Sequence, residues 1–123
     1  MEIKKKFGIH DRVFLFVIRT LRLIKALPKT FENKALIEQL IRSVTSVGAN
    51  DQEADGVSTK RDFIHCYTIV RKEAKETKYW LQLLAELNTS FKPRMGSLIQ
   101  ENEEIIRIVS SILKNASVSK VIS

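Results

Sequence analysis

The chain of 123 residues is 44% hydrophobic and 28% charged, a balance that fits one globular domain with a proper core and excludes a wholly disordered segment. It carries 21 Lys and Arg against 14 Asp and Glu, a net charge of +7, which favours polyanionic partners such as nucleic acid or an anionic membrane surface without proving one. Its single cysteine, Cys66, forbids an internal disulfide and fits a reducing compartment, and no run approaches the roughly 18 uninterrupted apolar residues of a membrane span.

In chain order, residues 1–10 read as a basic, solvated tail holding Lys4, Lys5 and Lys6. The tail lacks a small-residue cleavage site and arginines interrupt the apolar residues beyond it, so no signal peptide is read and a cytoplasmic location is expected. A bundle domain is expected over residues 11–115. Its first helix is predicted from about Asp11 to Leu27, with Asp11 favouring the positive end. Val13, Phe16, Val17, Thr20, Leu23, Ile24 and Leu27 share one broad face. Arg12, Arg19, Arg22, Lys25 and Lys29 fall on the other, with Leu15 and Ile18 among them. A purely solvated face has little reason to carry Leu15 and Ile18, so a second contact surface, such as a neighbouring subunit, is expected there.

Pro28 stops this helix, and Thr30, Glu32 and Asn33 supply capping groups for the next, predicted from about Asn33 to Asp55. Ile37, Leu40, Ile41, Val44 and Val47 recur with the spacing of one helix face. The second half of this helix crowds small residues into its interior, where glycine costs roughly 1 kcal/mol relative to alanine. Ser46, Gly48, Ala49 and Asn50 are therefore candidates for close helix packing, a ligand approaching the backbone being the alternative.

A third helix is predicted from about Lys60 to Asn88, opened by Thr59 and Asp62 at capping-box spacing. Phe63, Tyr67, Val70, Ala74, Thr77, Leu81 and Leu84 alternate by four and three, a heptad-like seam. Glu73 and Glu76 lie on the flank of that seam and must face water or pair with a base; Arg42 is the predicted ion-pair partner. The segment SFKPRMG reads as a loop broken by Pro93 and Gly96, followed by a fourth helix from about Ser97 to Asn115. Residues 116–123 are expected to fray as a C-terminal tail. With no strand signal and short connections, the expected fold is all-α, an antiparallel up-down-up-down four-helix bundle.

The chain has no G-x-x-x-x-G-K-[ST], G-x-S-x-G or H-E-x-x-H pattern. His65 and Cys66 are adjacent on a helix and diverge by about 100°, so they do not chelate one metal, and Glu73 and Glu76 lack the Glu-x-x-His companion of di-iron bundles. No cofactor, no metal and no catalytic residue is assigned, and a non-enzyme is expected. For nucleic acid the candidates are Arg12, Arg19, Arg22 and Lys25 on the first helix and Arg71, Lys75 and Lys78 at i, i+4, i+7 on the third. A solvated surface partly neutralised by Glu73, Glu76 and Glu86 is the competing explanation. Because Tyr67 and most phenylalanines read as core, stacking on single-stranded bases is poorly supplied, and binding would be driven by charge and shape with little sequence specificity.

The run RSVTSVGANDQEADGVSTKRDFIHCYTIVRKEAKETKYWLQLL resembles the signature of the small bacterial four helix bundle, or S23 ribosomal protein, family, first known from open reading frames inside intervening sequences of 23S ribosomal RNA genes. The resemblance is carried by Arg42 and Ser46, Val47-Gly48-Ala49-Asn50, Glu53-Ala54, Ser58 with Asp62-Phe63, and Glu73 and Glu76 ahead of Trp80-Leu81. This chain has Arg42-Ser43 where the more typical pattern has R-A, and Asn50-Asp51-Gln52-Glu53-Ala54 where it has N-I-x-E-G, departures that mark a divergent branch. The resemblance implies an antiparallel four-helix bundle that assembles as a homo-oligomeric ring, commonly a pentamer. It also implies a likeness to the accessory variability protein of diversity-generating retroelements, a basic pentamer that binds nucleic acid and a reverse transcriptase. A five-fold ring of this chain would carry about +35, a strong field for RNA or DNA phosphates. The other reading it leaves open is a protein-interaction scaffold whose ring docks a protein partner, with no membrane involved.

Overall fold

The computed structural model describes the backbone of residues 8–122 and the side chains of residues 8–117. Lys4, Lys5 and Lys6 lie outside the described residues. Four helices follow one another: α1 (Ile9–Ala26), α2 (Phe31–Ala54), α3 (Lys60–Leu87) and α4 (Lys92–Ile122), with one 3-10 turn at Thr89–Phe91 before α4. α1 packs on α2 and α4, and α3 packs on the same two, so each helix has antiparallel neighbours on two sides and the fold is the up-down-up-down bundle.

Local chemistry sets the helix ends. The Thr30 hydroxyl accepts from the Asn33 N–H at 3.2 Å, and the Thr59 hydroxyl accepts from the Asp62 N–H at 3.1 Å. At the far end of α1, Lys29 Nζ donates to the carbonyls of Ile24 and Leu27 at 3.0 and 2.6 Å, where the Ile24 carbonyl also accepts the Leu27 N–H at 3.2 Å. Asn33 and Asn88 exchange side-chain amide hydrogen bonds at 2.8 and 2.9 Å, tying the α1–α2 and α3–α4 connections together at one end of the bundle.

The core follows the apolar spacing. Phe16, Leu23, Leu40, Val44, Val47, Val70, Ala74, Leu81, Leu84, Met95 and Ile105 are fully or almost fully buried. Thr77, in the α3 seam, is also buried and is satisfied by the Ser43 hydroxyl at 2.8 Å and the Glu73 carbonyl at 2.9 Å. A Cβ added at Gly48 would come within 3.3 Å of Val17 Cγ2, so the glycine lets α1 lie close to α2.

Three boundaries differ from the sequence reading. α1 starts at Ile9, which places His10 inside its first turn rather than in a tail. α4 starts at Lys92, five residues before Ser97, because Pro93 sits in the first turn, where a helix does not need its missing N–H, and Gly96 faces open space. The helix then continues through Ile122, across the segment expected to fray.

Candidate nucleic-acid interface

The expected ion pair of Arg42 with Glu73 or Glu76 is not formed among the described residues. Arg42 and Glu76 are exposed, whereas Glu73 is half-buried, and burial together with the Glu76 charge holds the Glu73 carboxyl above its ordinary range against the weaker pull of Lys72 and Arg42. Arg42 therefore acts on Glu73 at a distance rather than as a salt bridge.

The cations of α1 divide by helical turn. His10 Nδ1 lies 2.8 Å from Asp51 Oδ2, and its Nε2 lies 3.5 Å from Asp55 Oδ1. Asp51 is fully buried and also accepts from the Tyr67 hydroxyl at 2.8 Å. This node joins α1, α2 and α3. The hydrogen bond to Asp51 raises the His10 pKa above 6.5 despite partial burial, and burial followed by the same carboxylate pushes the Tyr67 phenol up. Two residues on from His10, Arg12 grips Glu101 of α4 with two hydrogen bonds of 3.0 and 2.9 Å, which raise its pKa further.

Beyond these residues the acids stop. Arg19 Nη2 donates to the Ser97 hydroxyl at 2.9 Å, and Arg19, Arg22 and Lys25 make no ion pair among the described residues. Arg19 and Arg22 line a cleft of about 190 Å³ between α1 and α4 with Leu23, Arg94, Ser97 and Leu98. The Arg94 guanidinium carbon sits 6.0 Å from the centre of the Phe91 ring.

On the other side of α4 the basic residues of α3 have a different setting. Lys75 and Lys78 line a shallow groove of about 590 Å³ with Tyr79, Gln82, Glu103, Ile106 and Arg107. Lys78 pairs with Glu103 at 2.9 Å, lowering the Glu103 pKa, and Arg107 pairs with Glu104. Arg71 donates to the Ser110 hydroxyl at 3.4 Å. The structure thus separates the predicted cations into four settings: Arg12, bound to an acid; Lys75 and Lys78, in a groove that Glu103 enters; Arg71, on the Ser110 hydroxyl; and Arg19, Arg22 and Lys25, with no acid among the described residues. Arg94 and Ser97, which complete the last of these, were read as the end of a loop and the start of a helix, so sequence reasoning missed them. Asp51 was legible in principle, since it follows Val47 by four on the buried stripe of α2.

The small residues of α2 meet two fates. Gly48 approaches Val17, whereas Ala49 is exposed and lines, with Val13, Phe14, Val17, Thr45, Gly48 and Gln52, an apolar groove of about 230 Å³. Asn50 and Ser46 bond to each other along the helix, Asn50 Nδ2 donating to the Ser46 carbonyl at 3.0 Å. Phe14 beside this groove is 64% exposed and Phe31 at the start of α2 is 87% exposed. Cys66 is buried, and burial raises its thiol pKa. Among the described residues no cluster of three metal-ligating side chains occurs, and no helix is long and apolar enough to cross a membrane.

An all-α antiparallel bundle with a basic α1–α4 flank is the class of protein these features define. Residues 5–111 match the model of the 23S rRNA-intervening sequence protein family, and the chain belongs to that family. The crystal structure of a protein of unknown function from the S23 ribosomal protein family of Bacteroides thetaiotaomicron is similar. Its sequence is 34% identical and its TM-score is 0.80, over 87% of this chain and 99% of that one. No curated protein matches the chain significantly.

Proposed function

We propose that this chain is a non-enzymatic, oligomeric bundle protein that binds RNA or DNA through phosphate contacts with little sequence specificity. The observation that carries the reading is the run of arginines at Arg19, Arg22 and Arg94 around one cleft with no carboxylate in its lining. Guanidiniums that are not spent on internal acids remain available for phosphate oxygens, and the net charge of +7 adds a long-range field of the same sign. The partly exposed Phe14, Leu15 and Phe31 support assembly, because a monomer gains nothing by keeping such side chains in water. A ring of five working as an accessory to a ribonucleoprotein or a reverse transcriptase is the assembly the family resemblance favours, and the cytoplasm is the compartment that the reading of the N-terminal residues favours.

Light scattering on the purified protein, with and without a generic RNA at low and moderate salt, tests this reading. A ring-sized particle that takes up RNA at low salt and releases it at moderate salt is the expected result; a particle that ignores RNA at every salt contradicts it. The exposed apolar groove beside Phe14 favours a second reading, a scaffold that docks a protein partner. Under that reading, reversing the charge of Arg19 and Arg22 leaves partner capture unchanged.

A further inference from the structure

We propose that the cleft formed by Arg19, Arg22, Arg94 and Ser97 is a discrete site for a phosphate monoester, of the kind that ends an oligonucleotide, an inference that rests on the nucleic-acid reading above and deepens it. Three guanidiniums from two helices line one space of about 190 Å³, and the remaining lining groups are Leu23, Leu98 and the Ser97 hydroxyl. Leu23 and Leu98 are buried, so the floor is apolar and screens charge less than open water does.

Two of the three arginines are also held before any ligand arrives. Arg19 gives one N–H to Ser97 Oγ at 2.9 Å and keeps its other donors, while Ser97, as acceptor in that bond, keeps its own hydrogen to donate. Arg94 rests near the ring of Phe91, which is itself half-buried against the core. Charge balance selects the ligand. A backbone diester carries one negative charge and two free oxygens, whereas a terminal monoester at about pH 7.5 is close to dianionic and offers three oxygens to the guanidinium forks. The groove on the other side of α4 lacks this selectivity, because Glu103 sits among its lysines.

The test uses an internally labelled single-stranded RNA of one sequence in three forms: without a terminal phosphate, with a 5′-monophosphate and with a 3′-monophosphate. At least one phosphorylated form is expected to bind about fivefold tighter than the unphosphorylated strand, and Arg94→Gln to bring the ratio of phosphorylated to unphosphorylated affinity, compared within the same variant, to about one. Equal affinity for all three forms, or a preference that survives Arg94→Gln, overturns the site. A second measurement is independent of the nucleic-acid reading: inorganic phosphate is titrated at constant ionic strength while the Ser97 amide is followed by NMR. A saturable shift that Arg94→Gln abolishes supports the site even if no RNA form binds, in which case only the nucleic-acid reading fails. RNA binding with no preference overturns the site, whatever the phosphate response, and leaves that reading standing.

Discussion

In its first turns α1 presents His10 and Arg12, and both meet acids: Asp51 of α2 and Asp55 just past its end for the one, Glu101 from α4 for the other. Two turns later the same helix presents Arg19, Arg22 and Lys25, and among the described residues no acid comes within ion-pair distance of any of them. Both halves carry basic side chains; what differs is the neighbour. In the first half positive charge fastens α1 to α2 and α4, and in the second it is left facing outward. A basic stripe read from sequence therefore mixes structural cations with available ones, and the packing of α2 and α4 separates them.

The comparison breaks most visibly at Asp51. Replacing it with alanine strips a buried acceptor from both Tyr67 and His10, and Asp51→Ala is expected to lower unfolding free energy by about 3 kcal/mol, read from the urea midpoint. RNA affinity below the unfolding transition should be unchanged, because the node shares no residue with the lining of the arginine cleft. If Asp51→Ala were as stable as the parent, the first half of α1 would not be fastened as described.

The second half is probed by Arg19→Glu with Arg22→Glu. RNA affinity at low salt is expected to fall about a hundredfold, with no loss of stability, since neither side chain is paired to an acid. Arg12→Gln should do the reverse. Breaking the double hydrogen bond to Glu101 is expected to cost about 1 kcal/mol of stability and to change RNA affinity by less than about twofold.

The smallest effect belongs to His10. Its folded-state pKa is raised by the hydrogen bond to Asp51, so its contribution is complete below the unfolded value of 6.5 and fades as pH rises through the higher folded value. The melting temperature of the parent should therefore exceed that of His10→Gln most at about pH 5.5 and least at about pH 8.5. A difference that grows with pH would show that His10 is bound as the neutral ring.

Much of the fold was legible because helix periodicity is a local property. The α3 seam from Tyr67 to Leu84 is buried as its four-three spacing requires, and Thr30 and Thr59 cap where hydroxyls precede helical patterns. The start of α4 was not legible, because Pro93 and Gly96 break a helix interior but not a first turn, and position relative to the cap is not written in composition. The site suffered from that error directly: with residues 90–96 read as loop, Arg94 had no helix face and could not be placed opposite Arg22. The Arg42 pairing failed for a different reason. Helical level on neighbouring helices gives proximity, but an ion pair needs both side chains to turn toward each other, and Arg42 remains in solvent.

The most direct test of the division within α1 is the salt dependence of RNA affinity, measured between about 50 and 200 mM salt for the parent, for Arg12→Gln and for Arg19→Gln with Arg22→Gln. The account predicts a steep slope for the parent, the same slope for Arg12→Gln and a slope reduced by roughly one to two for the double variant. A flat parent slope, or equal slopes for the parent and the double variant, would contradict it.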